Sequence, residues 1–387
     1  MTAITMPKAV WRDSEELTMF EDSVRGFFAK EAPPEACAKW RENGIVDREM
    51  WTKAGQAGLL CVSMPEEFGG GGGDFRHEAV IMDVMGTMGI DGFGLPLHNA
   101  IIAPYIKHYG SQEQKQKWLP KMASGELVGA IAMTEPGAGS DLQGIKTTAV
   151  KSGNHYVING SKTFITNGAT ADLIIVVAKT DPTQGAKGTS LIVVETKEVE
   201  GFRRGRNLDK IGQDAQDTSE LFFDEVRVPT SNLLGPVEGM GFIQLMEQLA
   251  SERLQIGIQG VASMERALTE TIAYVKERKA FGKSILDFQN TQFKLAECKT
   301  KATVARAFCD RCVELLMEGK LDPATASMAK YWVSDVENEV MDECLQLHGG
   351  WGYMNEMPIA RMWRDSRVQR IYGGANEVMK VLIARTL

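Results

Sequence analysis

The 387-residue sequence has no run of about 18 consecutive apolar residues, which excludes a membrane-spanning helix of ordinary length. It has no basic cluster longer than GFRRGR at 201–206, a stretch that reads as a solvated loop. With a net charge of -8 and a pI near 5.4, this argues against nucleic-acid binding and polybasic membrane attachment. Five scattered histidines, with no H-E-x-x-H and no G-x-S-x-G, leave metal and triad chemistry without their usual residues. Six cysteines do not make a disulfide framework in a chain this long. Cys309 and Cys312 form a C-x-x-C, but within the helical stretch ATVARAFCDRCVELLMEG and without a second Cys or His pair nearby. The start, MTAITMPKAVWRDSEELTMF, lacks an apolar run of signal-peptide length, so a soluble, cytoplasmic protein is expected.

What is present divides into three. Residues 13–120 read as helices, beginning with a stripe of Leu17, Phe20, Val24 and Phe27/Phe28 that Pro33-Pro34 should stop. Between them MPEEFGGGGGD (64–74) has no G-K-[ST] and no preceding strand, and reads as a flexible connector. From about 125, short β-branched and aromatic runs alternate with Gly, Asn and Asp turns as far as Pro236. Helical patterning then returns over 241–279, 287–318, 323–347 (N-cap Asp322, Pro323 in the first turn) and 376–386. The predicted fold is mainly α with a central β domain. A helical domain (1–124) precedes a β-barrel-like one (125–236), and a four-helix bundle (237–387) follows.

Three segments carry chemistry. AMTEPGAGSDLQG (132–144) leaves an apolar strand through residues small enough for backbone N–H groups to approach a planar or anionic ligand, with Thr134 and Ser140 adding hydroxyls; a tight strand exit would read the same. In QRIYGGANEVMK (369–380), Gly373 and Gly374 interrupt a helix-forming run, either for close approach to a ligand or as a turn before a helix capped by Asn376. In LASERLQIG, Leu245, Leu249, Glu252 and Ile256 are spaced 4, 3 and 4, which places a carboxylate on an apolar stripe. It is then either functional or an edge residue paired with Arg253 or another cation. Desolvation there would raise its pKa and make it a stronger base.

The first of these segments, with KTFITNG (162–168), ERKAFGKSILDFQ (277–289) and QLHGGWGY (346–353) following in order, resembles the acyl-CoA dehydrogenase flavoprotein family, and in particular its long-chain branch. The resemblance covers nearly the whole chain. It implies FAD between the β domain and the bundle, with Met133, Thr134 and Ser140 near the isoalloxazine, Phe164 and Thr166 on its far side, and Ala375 and Glu377 beside it. It implies further that Arg278, Phe281, Gln289, Gln346, Gly349 and Gly350 reach the adenine and pyrophosphate of a neighbouring subunit's FAD, in a homotetramer. Without the motif, Arg278 reads as a surface cation at a helix C-terminus.

Family members commonly carry the catalytic glutamate in Y-E-G-T; the matching positions here are Tyr372, Gly373, Gly374 and Ala375. In the long-chain and isovaleryl branches it comes instead from an E-R-L context, which Glu252-Arg253-Leu254 provides. The resemblance thus implies that Glu252 takes the acyl α-proton while a hydride leaves the β-carbon for the flavin. The Gly373 N–H would hold the thioester carbonyl, and Ser140, Arg253 and Tyr372 would line the acyl-CoA site. Electrons would pass to electron-transferring flavoprotein. Two positions depart from the family: Ala375 stands where relatives have a flavin-contacting threonine, and Phe93-Gly94 where the long-chain enzyme has Pro-Gly. A flavin oxidase on the same scaffold and a catalytically silent acyl-CoA-binding protein remain alternatives at this stage.

Overall fold

Ser14 opens the first helix by accepting a hydrogen bond from the Leu17 N–H, and α1 (Glu15–Glu31) buries Leu17, Val24 and Phe28 along the predicted stripe. The structure, a computed structural model, describes residues 3–387. The proline pair does not simply stop α1. The helix ends at Glu31, and Pro34 becomes the first residue of α2 (Pro34–Asn43), where its missing N–H costs nothing. After α3 (Arg48–Gln56), the glycine-rich segment corrects its reading as a flexible connector. The N–H groups of Gly70, Gly71, Gly72 and Gly73 bond to carbonyls of residues 61–65. A Cβ on Gly70 would lie 2.3 Å from the Met64 carbonyl oxygen, so the glycines are there because the loop is packed too tightly for side chains.

An Asp74–His77 capping box then starts α4 (Phe75–Met88), whose central turns are buried on nearly every side. Next, α5 (Leu95–Leu97) runs through a π-helical turn (His98–Ile102) into α6 (Ala103–Tyr109), and α7 (Gln112–Ala123) closes the first helical region.

The middle region is one curled sheet. It contains β1 (Gly129–Ala132), β2 (Thr148–Ser152), β3 (His155–Thr166), β4 (Leu173–Lys179), β5 (Thr189–Glu195), β6 (Phe202–Asn207) and β7 (Thr218–Pro229). β4 and β5 are buried throughout and read as continuous apolar runs. β5 covers the length of β4 on one side, while β1 and the start of β2 share the other. β2 continues through β3 and β7 to β6, so the barrel-like sheet is an open one.

Beyond it, α8 (Gly241–Glu277) runs for 37 residues and is followed by the hairpin of β8 (Lys279–Ala280) and β9 (Lys283–Ser284). α9 (Gln289–Met317), α10 (Pro323–Leu347), α11 (Pro358–Ser366) and α12 (Asn376–Ala384) complete the chain. Asp322 caps α10 as expected, accepting from the Ala324 and Thr325 N–H groups. α8 packs on α9, α10 and α4, and no Cβ could be added to Gly86 of α4 without coming within 2.5 Å of Ala262 on α8. All six cysteines are buried and unbridged, and the described residues include no group of three or more metal-ligating side chains. No helix among them is long and apolar enough to cross a membrane.

Candidate functional site

At the exit of β1, the Thr134 carbonyl accepts from the Thr163 N–H at 3.0 Å, and the Thr134 hydroxyl donates to the Thr163 carbonyl. Met133 and Thr134 are thereby fixed beside β3. Below them Glu135 is buried and accepts from the Lys146 N–H (2.7 Å), the Thr147 N–H (3.0 Å) and the Lys162 ammonium (2.9 Å). Burial works to raise its pKa, but these donors outweigh it and hold the carboxylate below its usual range. Lys162 is pulled down to about 8 by burial, with Glu135 opposing. This buried pair supports the loop from beneath. Its outer face holds exposed Pro136, Gly137, Gly139 and Ser140, and a Cβ on Gly137 or Gly139 would meet nothing within 4 Å. Protein packing does not require those glycines, which leaves the approach of a ligand as their use.

β3 supplies the second wall. Its register against β7 slips between Lys162 and Ile165, and in that bulge Phe164 has φ +59 and is 67% exposed. A phenylalanine held in the left-handed region with its ring in the open is costly unless something flat covers it. Thr166, half-buried, ends the strand.

The bundle carries the other predicted residues. Glu252 lies on α8, 7% exposed, and accepts a 2.9 Å hydrogen bond from the Tyr105 hydroxyl of α6. Burial raises its pKa to about 7, with the Tyr105 hydrogen bond and the Arg253 charge opposing. Pairing with Arg253, one of the two sequence readings, does not occur: Arg253 is buried and directs its Nη1 to Ser327 at 3.4 Å, and among the described residues no ion pair reaches Glu252. One turn further along, Ile256 abuts Gly373, where an added Cβ would sit 2.2 Å from Ile256 Cδ1. Gly373 thus packs on α8 one helical turn from Glu252.

Gly373 (φ +62) and Gly374 (φ +98) both adopt conformations that disfavour a side chain. The Gly374 carbonyl accepts from the fully buried Lys330 ammonium at 2.7 Å, and burial pulls that amine down to about 8. Asn376 is not the cap of the last helix. Ala375 holds the N-cap position, while the Asn376 side chain turns back to α10, bonding Lys330, Ser334 and Asp335. Tyr372 donates to Gln369 at 3.0 Å, and Glu377 is exposed in the first turn of α12.

The remaining predicted residues are elsewhere. Arg278 caps the far end of α8, exposed and without an ion pair among the described residues. Phe281 sits at the β8–β9 turn with φ +53 and 95% exposure. Gln289, Gln346, Gly349 and Gly350 are also exposed. The Tyr274 ring stacks on His348 with centroids 4.3 Å apart, which holds the ends of α8 and α10 side by side and gathers this group at one end of the bundle. At 1.5 Å per residue, about 39 Å of helix separates Arg278 from Glu252.

Family models match the chain throughout: "Acyl-CoA dehydrogenase, N-terminal domain" over residues 14–126, "middle domain" over 130–226 and "C-terminal domain" over 239–387. This chain belongs to the acyl-CoA dehydrogenase family. The family is one of flavoprotein oxidoreductases, and a strained, exposed Phe164 and an open glycine loop fit a planar flavin. Among curated relatives, the mitochondrial long-chain specific acyl-CoA dehydrogenase of Sus scrofa is 51% identical, over 97% of this chain and 87% of that one. Among solved structures, an acyl-CoA dehydrogenase from Geobacillus kaustophilus superposes with a TM-score of 0.95 at 49% identity, covering 98% of this chain and 99% of that one. A chain in a structure reported as the electron transferring flavoprotein of Acidaminococcus fermentans matches with a TM-score of 0.91 at 38% identity, covering 96% and 98%.

Against the family pattern, Phe93 is buried edge-on against Trp51 at 4.8 Å, and Gly94 lies so close to Asn167 that a Cβ would meet its Oδ1 at 1.9 Å. Sequence reasoning missed Tyr105, Gln255 and the Glu135–Lys162 pair. Glu135 lay inside a quoted motif and was legible as its charged member; Tyr105 comes from a helix 147 residues away and left no local signal.

Proposed function

We propose that the protein is an FAD-dependent acyl-CoA dehydrogenase in which Glu252 removes the α-proton of an acyl thioester, giving a trans-2-enoyl-CoA. The observation that carries this reading is a buried carboxylate with no ion pair among the described residues, one helical turn from Ile256, which packs on Gly373, where the usual side chain is absent. A carboxylate poised near pH 7 suits the abstraction of a carbon-bound proton better than an exposed one. Gly373 offers its N–H to the thioester carbonyl, where negative charge develops as the proton leaves. Lys330 and Asn376 hold the 373–376 backbone in place, so that donor is set before substrate arrives. The flavin supplies an acceptor for the β-hydride. Met133, Thr134, Phe164 and Thr166 bind and orient it, and Ser140, Arg253 and Tyr372 border the acyl-CoA.

The long separation of Arg278, Phe281, Gln289, Gln346, Gly349 and Gly350 from Glu252 supports a site completed by a second chain, in keeping with a homotetramer. Electron-transferring flavoprotein is the proposed acceptor. Straight, branched, terpenoid and steroid side-chain thioesters are the substrates to compare. Anaerobic addition of such a series, followed by flavin bleaching, tests the proposal. Bleaching by at least one thioester supports it. A flavin-loaded protein that binds acyl-CoA yet bleaches with none contradicts it.

A further inference from the structure

Glu252 is held by a single hydrogen bond whose donor occupies an unusual place in the chain. Tyr105 is fully buried and lies three residues beyond the π-helical turn His98–Ile102. A π turn inserts one residue, and so offsets all that follows by about 100° relative to a continuous α-helix. It also changes which carbonyls are bonded within the helix. The Ala100 carbonyl in this turn accepts from Gln255 Nε2 at 2.8 Å. Gln255 and Glu252 are three residues apart on α8, and their partners are five apart on the π-bulged helix. The two bonds form a clamp: Gln255 fixes the turn, and the turn's rotation delivers the Tyr105 hydroxyl to the Glu252 carboxylate.

We propose that Tyr105 is the positioning residue of Glu252, its hydroxyl fixing the direction of the carboxylate and keeping it ready to accept a proton, with the Gln255–Ala100 bond setting Tyr105 in register. The proposal rests on Glu252 being the base. A phenol donating to a carboxylate favours its ionised form, against the burial that favours the acid. The other titratable groups around the carboxylate are few. α6 adds Tyr109, α8 adds Arg253, whose charge also helps lower Lys330 of α10, and the 373–375 segment is Gly-Gly-Ala and brings no charge.

The test is Tyr105→Phe, which keeps the ring and its packing. The acid limb of anaerobic flavin reduction should move up by about one pH unit, while the alkaline plateau stays within about tenfold of wild type. A second readout needs no flavin: the carboxylic-acid carbonyl band in infrared difference spectra, assigned to Glu252 by its loss in Glu252→Gln, should titrate at the same higher pH. Substituting 3-fluorotyrosine at 105, a stronger donor of nearly equal size, should move both transitions the other way, and decides the matter alone if the phenylalanine variant does not fold. Limbs and bands unmoved within about 0.2 pH unit in the variants that fold overturn the proposal. Glu252→Gln reducing its flavin at near the wild-type rate would instead sink the base assignment, while the infrared titration would still decide whether Tyr105 governs the carboxylate.

Discussion

Two buried carboxylates on helices that pack against each other, Asp83 of α4 and Glu252 of α8, have opposite surroundings. Asp83 is bonded by Arg12 at 2.7 Å and by Arg306, which also reaches Glu265 at 3.3 Å. Burial works to raise its pKa, but the Arg306 and Arg12 guanidinium groups outweigh this and hold Asp83 at about 2. Glu252, similarly buried, has one phenol and rises to about 7. The first ties the N-terminal segment, α4, α8 and α9 together; the second is left able to take up a proton. Glu78 shows that an uncompensated carboxylate alone does not make a base. It too lies near 7 through burial, yet the Ser63 hydroxyl and N–H and the Asn99 amide occupy both its oxygens. What distinguishes Glu252 is its single donor and its place one helical turn from Ile256, which packs on Gly373.

That contrast can be broken most sharply in stability. Asp83→Ala leaves two arginines facing a buried void, and should cost about 3–5 kcal/mol in denaturant unfolding. The pH dependences should also diverge. Glu252 has a folded pKa near 7 against an ordinary 4.5, so the folded state holds the extra proton. Its contribution is fully present below about pH 4.5 and is lost as pH rises through 7. Glu252→Gln should therefore gain about 2–3 kcal/mol relative to wild type between pH 4.5 and pH 8. Asp83, held near 2 against an ordinary 3.8, gives its stability above about pH 4 and loses it as pH falls through 2, so Asp83→Asn should show no such trend over the same range.

A smaller effect is expected at Gly373. Alanine there takes a left-handed conformation and meets Ile256 Cδ1, costing about 1–2 kcal/mol. Adding Ile256→Val removes the obstructing atom, and a thermodynamic cycle should return part of that cost; strict additivity would show that the two do not touch. Smallest for the single chain is Arg278→Ala. Being exposed and unpaired, Arg278 should leave chain stability within about 0.5 kcal/mol while weakening flavin retention and subunit association together. A flavin-replete monomer on sizing would count against the shared site.

The helix, sheet, helix order was legible because it is written in local periodicity, and the Asp322-Pro323 start of α10 survives without change, whereas the stripe read around Glu252 is a stretch of α8 buried on all sides over 252–258, with Leu249 only half-buried. Less legible was anything set by distant partners. The glycines at 70–73 looked mobile because sequence shows missing side chains and not the Met64 and Val62 backbone that excludes them. Asn376 looked like a cap because its type suits one, but Lys330 and Ser334 of α10 outcompete the N-terminal N–H groups for its amide. The flanks of the site, Met133 to Ser140 and Gly373-Gly374, came from motif resemblance, whereas Tyr105 reaches Glu252 only through a π turn that no spacing announced.

The most direct test of the central claim is anaerobic rapid mixing of Glu252→Gln with an acyl-CoA that bleaches the wild-type flavin. Glutamine keeps the size and helix propensity of the side chain and removes its proton acceptor, so flavin content and acyl-CoA binding should be retained. The rate of reduction should fall about 10²–10⁴-fold, the usual contribution of a general base. Reduction within about tenfold of wild type would contradict the assignment and return the question to what replaces the glutamate missing at Gly373.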